Sequence, residues 1–407
     1  MRRVLAALTL TLTLPVLAPA ADWPQFLGPA RDGVSTEKVP VWSSPPKVEW
    51  KAPLGDAHSS PVVAGGTVFA FYQPKGKNED ALAAFDAVSG EKRWEKSYPR
   101  DKFDPPFGQG PRGTPAVDAG KVYTLGGTGV LACWDAKTGE IDWKVDTLKE
   151  FKAKNLFFGV STSPTVVGNL VVVMVGAKGA GIVAFDKTTG KTAWQATDDP
   201  ASYASPLTVG TKGAEQLVFL TGNNVRTLTP DGKEVWSFPF KDRLNESSTT
   251  PVKTGDLYIA SSVTAGSVAL SVSGEPAKVT TVWKDPTLTC YFSTPVAVGP
   301  HLYMVNGAAT LTSPTITLRC VESATGKVLW SKSNVGKYHA AIVRTGDDKL
   351  LTLDDTGHLL LLQPDPTGYK ELARAKVCGP TWAHPALSNG RVYVRDNKEL
   401  VCVKVGE

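Results

Sequence analysis

A turn pattern that ends in tryptophan recurs along this chain and restricts its fold more than any other feature of the sequence. One copy runs from Phe85 through Asp86 and Gly90 to Trp94, and later copies end at Trp143, Trp194, Trp236, Trp283 and Trp330. Successive tryptophans are 42 to 51 residues apart, which is about the length of one four-stranded propeller blade. Aspartate and glycine supply the hydrogen bonding and the positive φ of a tight hairpin. The pattern therefore predicts a hairpin in each blade, with tryptophan in the outer strand.

A second pattern, Ser or Thr followed by Pro and a β-branched run, alternates with the first. It is present at Ser60, Thr114, Ser163, Ser205, Thr250 and Thr294, with weaker copies at Ala341 and His384. Proline is tolerated at the start of a strand because the first residue need not donate a ladder hydrogen bond. Each copy is therefore predicted to open the inner strand of a blade. This predicts eight blades, with seven as the alternative.

The sequence has eight inner-strand starts but only six hairpin tryptophans. The N-terminal segment supplies one of the two missing outer strands with its tryptophan. Val48-Glu49-Trp50 has the strand-plus-tryptophan character that is missing after Cys402. We predict that it forms the outer strand of the last blade and closes the ring, while the seventh blade, around residues 359–372, has lost its tryptophan. The predicted fold is an all-β, eight-bladed β-propeller of four-stranded antiparallel blades.

Residues 1–20 predict a secretory signal peptide. Two arginines precede an apolar stretch over residues 4–17, and Ala-Pro-Ala at residues 18–20 fits a small-residue cleavage site. The stretch is shorter than the roughly 20 residues of a membrane-spanning helix, although an uncleaved anchor is the alternative. We predict a signal peptide at 1–20, a lead-in segment at 21–47 and a propeller domain at 48–407, exported to the periplasm or the extracellular space.

The formal net charge of +5 is nearly balanced for a chain of 407 residues. Lysines are spread singly, mostly in turns, whereas nucleic-acid-binding proteins concentrate basic residues in a patch or tail. We therefore expect no nucleic-acid partner.

The motif Phe-Asp-x-x-Thr-Gly-Lys-x-x-Trp, which ends at Trp194, resembles the repeat of pyrroloquinoline-quinone (PQQ) β-propellers. The resemblance covers nearly all of residues 48–407 and implies that each tryptophan docks on a glycine of a neighbouring blade. The tryptophans concerned are Trp50, Trp94, Trp143, Trp194, Trp236, Trp283 and Trp330. The family contains quinoprotein dehydrogenases and a BamB-like branch that is not enzymatic.

The resemblance favours the BamB-like branch. It implies a protein-binding or scaffold module with a protein partner in the cell envelope, and a role in envelope or outer-membrane protein assembly. We expect a monomer. Quinoprotein dehydrogenases clamp their planar cofactor beneath a vicinal cysteine pair and hold Ca²⁺ beside it. This chain contains no adjacent cysteines and is short for such an enzyme. The alternatives are a quinoprotein-type oxidoreductase that uses PQQ with calcium, or a carbohydrate-active protein; we assign no catalytic residue and no cofactor.

Residues that precede the inner strands should surround the mouth of the propeller channel. Three positions before each opening proline, or its counterpart, the chain has His58, Arg112, Ser161, Tyr203, Ser248, Phe292, His339 and Trp382, and His384 lies nearby. Arginine can bind an anion through its planar fork, and aromatic rings offer stacking faces. We predict a pocket for an anionic or planar ligand at His58, Arg112, Tyr203, His339 and Trp382. The alternative is that these residues only satisfy converging strand ends, and no histidine spacing supports a metal site.

Five cysteines in an exported protein raise the question of disulfides. Cys133, Cys320 and Cys402 occupy the same repeat position in blades that are not neighbours, so their Cα atoms should be too far apart to bridge. Cys290 and Cys378 precede the sixth and eighth inner strands, and a bridge between them would cross the seventh blade. We expect free thiols.

Thiol titration of the denatured, unreduced mature protein should therefore find most of the five cysteines free. Oxidation of four of the five within monomers would contradict the repeat register.

Overall fold

The computed structural model describes residues 21–211, 213–307 and 315–406, and its strands form eight four-stranded antiparallel sheets. The inner strands of successive sheets pack against one another around a central channel. The predicted eight-bladed propeller is confirmed, and the seven-bladed alternative is wrong. The predicted signal peptide, residues 1–20, lies outside the described residues. In the part of the chain that is described, the one helix is α1 (Thr147–Glu150), between the second and third blades.

Each blade takes its strands in chain order, except that the first strand, β1 (Lys47–Pro53), belongs to the last blade. Blade 1 contains β2 (Val62–Ala64), β3 (Thr67–Tyr72), β4 (Glu79–Asp86) and β5 (Lys92–Pro99). Blade 2 contains β6 (Ala116–Asp118), β7 (Lys121–Leu125), β8 (Val130–Asp135) and β9 (Ile141–Asp146). Blade 3 contains β10 (Thr165–Val167), β11 (Leu170–Ala177), β12 (Ala180–Asp186) and β13 (Thr192–Ala196). Blade 4 contains β14 (Leu207–Val209), β15 (Gln216–Leu220), β16 (Asn224–Leu228) and β17 (Glu234–Pro239).

The remaining blades repeat this order. Blade 5 contains β18 (Val252–Thr254), β19 (Leu257–Ser262), β20 (Gly266–Ser273) and β21 (Lys278–Asp285). Blade 6 contains β22 (Val296–Val298), β23 (His301–Asn306), β24 (Thr317–Glu322) and β25 (Val328–Ser333). Blade 7 contains β26 (Ala340–Arg344), β27 (Leu350–Asp354), β28 (His358–Leu362) and β29 (Glu371–Lys376). Blade 8 contains β30 (Ala386–Ser388), β31 (Arg391–Arg395), β32 (Glu399–Lys404) and β1.

The two middle strands of each blade form the core, because a blade lies between two neighbours. Every residue of β3 is buried, and so is all of β4 except its two ends. Strands buried on both faces are continuous apolar runs rather than alternating ones, as the sequence of β3, TVFAFY, illustrates. The outer strand β5 is mostly exposed.

Tryptophan docking joins one blade to the next. The Trp143 indole of blade 2 lies over Gly190 in the hairpin of blade 3, and its Nε1–H donates to Lys187 O at 3.1 Å. Gly190 has φ +70°, and a Cβ there would lie 2.7 Å from the indole. Five pairs follow this arrangement: Trp50 with Gly90, Trp94 with Gly139, Trp143 with Gly190, Trp194 with Gly232, and Trp283 with Gly326.

Two of the seven tryptophans depart from the glycine docking that the resemblance implies. Trp236 packs edge-on against Tyr258 of blade 5, with ring centroids 5.2 Å apart, because the altered hairpin of that blade places no glycine beneath it. Trp330 donates to Asp365 O of blade 7 at 2.7 Å, but nothing lies within 4 Å of a Cβ built on Gly368. Both residues still dock on the following blade, by different contacts.

The ring closes where the sequence predicts. Strand β1 pairs antiparallel with β32, and Trp50 lies opposite Cys402. The Trp50 Nε1–H donates to Ala87 O of blade 1 at 3.1 Å, so the N-terminal strand completes blade 8 and also docks it on blade 1. Closure of this kind removes exposed strand edges.

The lead-in segment crosses the lower end of the channel, opposite the loops that precede the inner strands. Trp23 exchanges two backbone hydrogen bonds with Val63 of blade 1, and Gly33 O accepts from Arg344 N of blade 7. The Glu37 carboxylate then accepts from the Asn389 and Gly390 backbone amides of blade 8. The segment therefore plugs the channel before it becomes β1.

A buried arginine anchors this plug. Arg31 is 1% exposed, and its guanidinium donates to Pro206 O at 2.8 Å, to Gln25 Oε1 at 3.1 Å and to Pro164 O at 3.3 Å. Burial lowers the pKa of Arg31 to about 9, so the group is still a cation at neutral pH. It is held by carbonyl dipoles from blades 3 and 4, and among the described residues no carboxylate forms an ion pair with it.

No helix in the described ranges has the length and apolar character needed to cross a membrane.

The docking geometry predicts a difference between two glycines of blade 3. Gly190→Ala adds a methyl group against the Trp143 indole, whereas Gly168→Ala meets nothing within 4 Å although Gly168 also has a positive φ, +54°. We expect Gly168→Ala to cost about 1 kcal/mol of unfolding free energy through backbone strain alone, and Gly190→Ala about 2 kcal/mol more through overpacking. Denaturant unfolding measures both. Equal losses would contradict a close indole–glycine contact.

Candidate functional site

The loops that precede the inner strands meet at one end of the ring, called here the mouth face. A concavity of about 130 Å³ opens there on the channel axis. The structure places all eight predicted rim residues around it: His58, Arg112, Ser161, Tyr203, Ser248, Phe292, His339 and Trp382, with His384 among them. Phe26 of the lead-in segment also lines it, so the concavity is blind at its lower end.

A belt of hydroxyl groups joins the blades at the level of the opening prolines. The Ser60 amide donates to Thr114 Oγ1 at 3.1 Å, and the Thr114 amide donates to Ser163 Oγ at 3.0 Å. The series continues from Ser163 to Ser205, and the His384 amide of blade 8 donates to Ser60 Oγ at 2.8 Å. The hydroxyls of Ser60, Thr114, Ser163 and Ser205 therefore each clasp the preceding blade, a role that the strand-start pattern alone did not indicate.

The belt is interrupted at blade 5. The Thr250 amide donates to Thr294 Oγ1 at 3.1 Å, but the Thr250 hydroxyl itself is buried without a hydrogen-bond partner. Thr114 and Thr250 thus occupy equivalent positions, and one hydroxyl is a clasp while the other is not.

Two buried imidazoles lie deeper in the concavity. The ring centroids of His339 and His384 are 5.1 Å apart. Burial lowers the pKa of His339 to about 4 and that of His384 well below its usual value, so both rings are neutral at neutral pH. His339 Nδ1 lies 3.1 Å from Ser293 Oγ. His339 Nε2 and His384 Nδ1 are buried with no hydrogen-bond partner, which leaves two unused polar atoms at the site.

His58 and Arg112 hold the segment 103–110, called here the mouth segment. His58 Nε2 lies 2.8 Å from Phe107 O, and since a carbonyl oxygen only accepts, this nitrogen carries the proton. Arg112 Nη2 donates to Pro106 O at 3.0 Å and to Gly108 O at 3.4 Å. Burial lowers the pKa of Arg112 to about 10, and burial followed by the Arg112 charge lowers that of His58 to about 3. Arg112 is thus cationic and His58 neutral at neutral pH.

Aromatic rings line one side of the concavity in a continuous cluster around Trp382. Its ring centroid is 5.0 Å from Phe292, 5.3 Å from His58 and 5.7 Å from Phe107. Phe107 in turn lies 6.0 Å from Phe158. Stacked and tilted aromatic pairs at these distances are attractive, and the cluster offers flat apolar surface beside the Arg112 guanidinium.

Sequence reasoning missed the lining residues that come from outside the position three before each proline. Phe107 and Phe158 belong to blade connections, and Phe26 belongs to the lead-in segment. Their signal in the sequence is weak: apolar residues among Gly and Pro, such as Pro105-Pro106-Phe107-Gly108. Glu246 also lines the concavity and accepts a hydrogen bond from the Tyr291 hydroxyl.

The donor set does not fit a quinone cofactor bridged to calcium. Ca²⁺ takes about six to eight oxygen ligands, with several carboxylates among them, and Glu246 is the one carboxylate in the lining of the concavity. Within the described part of the chain, no group of three or more His, Cys, Asp or Glu residues is placed to hold a metal ion. All five cysteines are buried and unpaired, which confirms the free-thiol prediction and provides no disulfide ring.

The family model described as outer membrane protein assembly factor BamB matches residues 77–317 and 314–404. The chain belongs to this family. The resemblance to PQQ-repeat propellers of the BamB-like type is thereby confirmed.

Two characterised sequences illustrate the range of BamB-like relatives. The outer membrane protein assembly factor BamB of Shewanella oneidensis is 23% identical over 385 residues, which cover 88% of each chain. The quinohemoprotein alcohol dehydrogenase of Pseudomonas putida is 33% identical, but over 125 residues that cover 28% of this chain and 16% of the enzyme. The second match is therefore confined to part of the propeller and a small part of the dehydrogenase.

Solved structures show the same fold in both groups. BamB of Moraxella catarrhalis superimposes with a TM-score of 0.61 at 14% identity and covers 88% of this chain and 99% of its own. Quinohemoprotein alcohol dehydrogenase of Comamonas testosteroni superimposes with a TM-score of 0.63 at 14% identity and covers 95% of this chain and 81% of its own. At these identities the likeness concerns the fold alone.

The hydroxyl belt predicts a difference between Thr114→Val and Thr250→Val. Thr114→Val leaves the buried Ser60 amide unpaired and should cost about 1 to 3 kcal/mol, whereas Thr250→Val removes a hydroxyl that has no partner and should be nearly neutral. Thermal and denaturant unfolding compare the two. A loss above about 1 kcal/mol for Thr250→Val would contradict the assignment of its hydroxyl.

Proposed function

We propose that this protein is a non-enzymatic, partner-binding propeller of the cell envelope, with a role in outer-membrane protein assembly like that named for its BamB relatives. The observation that carries the proposal is the apolar character of the mouth face. Phe157 is 69% exposed, Leu244 48% and Phe107 40%, and all three lie in connections between blades. Large apolar side chains exposed together at the rim of a concavity are typical of protein-binding surfaces.

The location of these side chains supports docking at the mouth rather than elsewhere. Phe157 packs against the buried Phe158 with ring centroids 4.9 Å apart, so it is supported from below by the aromatic cluster. The rigid ring of blades presents the connections from several blades on one face. Binding residues are commonly placed on loops that a rigid scaffold positions.

The predicted export of the chain supports the envelope location. The signal-peptide pattern at residues 1–20 predicts secretion, and the relative from Shewanella oneidensis is named for outer-membrane assembly. Both features favour a periplasmic site of action.

A quinoprotein-type oxidoreductase is the second candidate, and the shared fold with the Comamonas testosteroni dehydrogenase is what favours it. Incubation of the purified protein with PQQ and Ca²⁺, followed by absorbance and by alcohol- or sugar-dependent dye reduction, decides the matter. Turnover would replace the partner-binding proposal.

The partner-binding proposal predicts that contacts map to the mouth face. A photo-crosslinking amino acid at position 157, introduced in the producing cells, should crosslink to an envelope protein that mass spectrometry identifies. The same probe at position 282 is the control, because Val282 is 45% exposed on the outer strand of blade 5.

The purified partner then permits a quantitative test. The double variant Phe157→Asp/Leu244→Asp should weaken its binding by about 30-fold or more, as loss of an interface hot spot does, while Val282→Asp should not. Crosslinks of equal yield from both positions, or unchanged binding by the double variant, would refute docking at the mouth.

A further inference from the structure

The contacts of the mouth segment indicate which chemical groups of a ligand the concavity can bind. It places the Phe107 ring in the aromatic cluster and three consecutive carbonyl oxygens, those of Pro106, Phe107 and Gly108, on Arg112 and His58. An aromatic ring next to oxygen acceptors is therefore already accommodated at this place by the chain itself.

The segment is attached weakly. Among the described residues, none forms a backbone–backbone hydrogen bond with residues 103–110. The segment is held by the Arg112 and His58 side chains, by ring contacts, by a Gln109–Asp104 side-chain bond of 3.0 Å and by an exposed Lys102–Asp104 ion pair of 3.5 Å. Phe107 has φ +64°, a left-handed conformation that is strained for a residue with a Cβ. Segments with few backbone hydrogen bonds open at low free-energy cost.

The positive charge of Arg112 is not neutralised by the groups to which it donates hydrogen bonds. It is a partly buried cation, and no carboxylate of the described residues forms an ion pair with it; its partners are neutral carbonyls. A carboxylate brings a full negative charge to the guanidinium and can accept two parallel hydrogen bonds from it, whereas each carbonyl oxygen offers only a dipole. A carboxylate in place of these carbonyl oxygens would therefore bind better than the mouth segment does.

The other groups around the site are compatible with such a ligand. Trp382, His58 and Arg112 come from blades 8, 1 and 2, so ring surface and cation are adjacent on the rim. His58 is neutral and does not compete for the anion. The acidic Glu246 comes from the loop before blade 5, three blades away from Arg112, and is engaged by the Tyr291 hydroxyl.

The unused nitrogens below add hydrogen-bonding capacity. His339 Nε2 and His384 Nδ1 are both buried, unpartnered and part of the lining. A peptide carries amide groups next to its terminal ring, and these can pair with neutral imidazole nitrogens. A chain end thus uses more of the site than a lone side chain does.

We propose that the mouth segment is an intramolecular stand-in for the chain-terminal aromatic residue of a protein partner, whose ring packs on Trp382 and whose carboxylate binds Arg112. The bound chain end displaces Phe107 and its carbonyl oxygens. This proposal rests on the partner-binding function and names the recognised element.

The direct test is binding of a defined peptide to the full mature chain. The probe is acetyl-Gly-Gly-Gly-Phe with a free carboxylate, measured by isothermal titration calorimetry against the same peptide with a C-terminal amide and against one that ends in Ala. We expect the free acid to bind about tenfold or more tightly than either, because the charge-assisted bond and the ring contact are each lost in one comparison. Equal affinities, or no binding of the free acid, would overturn the proposal.

Three variants assign the effect to residues. Arg112→Gln should abolish the difference between acid and amide, and Phe107→Ala should tighten binding of the acid because it removes the competing ring. Val282→Ala, on the outer strand of blade 5, should leave affinity unchanged. Persistence of the acid preference in Arg112→Gln, or weaker binding by Phe107→Ala, would count against the stand-in. Circular dichroism verifies folding, and the Phe107 variant keeps the test decisive if Arg112→Gln does not fold.

A small free acid distinguishes two ligands that share an aromatic ring and a carboxylate: the end of a peptide chain and a small-molecule acid. 3-Phenylpropanoate carries the ring and carboxylate without a chain, so tighter binding of the peptide supports a chain end, and equal or tighter binding of the free acid overturns it. If the free-acid peptide shows no preferential binding but position 157 still crosslinks to a partner, the chain-end site alone is refuted. Failure of both would refute partner binding at the mouth.

Discussion

The docking of an outer-strand tryptophan on the next blade is the interaction on which the ring depends. The indole needs a flat surface, which a glycine at positive φ provides, and its N–H needs an acceptor, which the hairpin carbonyl provides. Both requirements fall on the same few residues of each hairpin. The repeat spacing follows from this, because a blade presents its hairpin to one neighbour and its tryptophan to the other; blade 7 is the exception, since its outer strand β29 contains no tryptophan. Closure by β1 obeys the same rule, since Trp50 docks on Gly90 of blade 1 as four of the other tryptophans dock on a glycine of the blade that follows them.

The hairpin carbonyl that accepts from the tryptophan also accepts from a tyrosine, and this tyrosine explains why a small residue, often cysteine, recurs at one position of the repeat. Tyr393 Oη and Trp50 Nε1 both donate to Ala87 O, at 3.0 and 3.1 Å, and Tyr393 lies opposite Cys402 in the sheet. Tyr123 lies opposite Cys133 in the same way, and Tyr303 opposite Cys320. A small side chain therefore accompanies the tyrosine whose hydroxyl reaches the next blade. The sequence register was sufficient to predict small, buried, unpaired residues at this position, but not their association with tyrosine, which depends on pairing across strands.

Blade count, ring closure and the rim positions could be predicted because each follows from a local, repeated pattern. The lead-in segment and the mouth segment could not, because neither repeats and each depends on distant parts of the chain. Arg31 donates to carbonyls of Pro164 and Pro206, which are 133 and 175 residues away. Phe107 packs on Trp382 from the other end of the sequence. The candidate site is therefore partly predictable. The rim positions follow from the repeat, whereas the lead-in segment below the site and the mouth segment above it do not.

The plug and the belt together determine how the concavity can be reached. The lead-in segment is fixed across the lower end through Trp23, Arg31 and Glu37, and its Phe26 lines the concavity, which opens on the mouth face. The belt fixes the inner strands at the level of the opening prolines through backbone amides and hydroxyls, and rigid walls of this kind change little on binding. The mouth segment, in contrast, has no such backbone bonds among the described residues. Stability and recognition thus depend on different groups: sequence changes within the mouth segment can alter what the concavity binds while the contacts that hold the eight blades together remain intact.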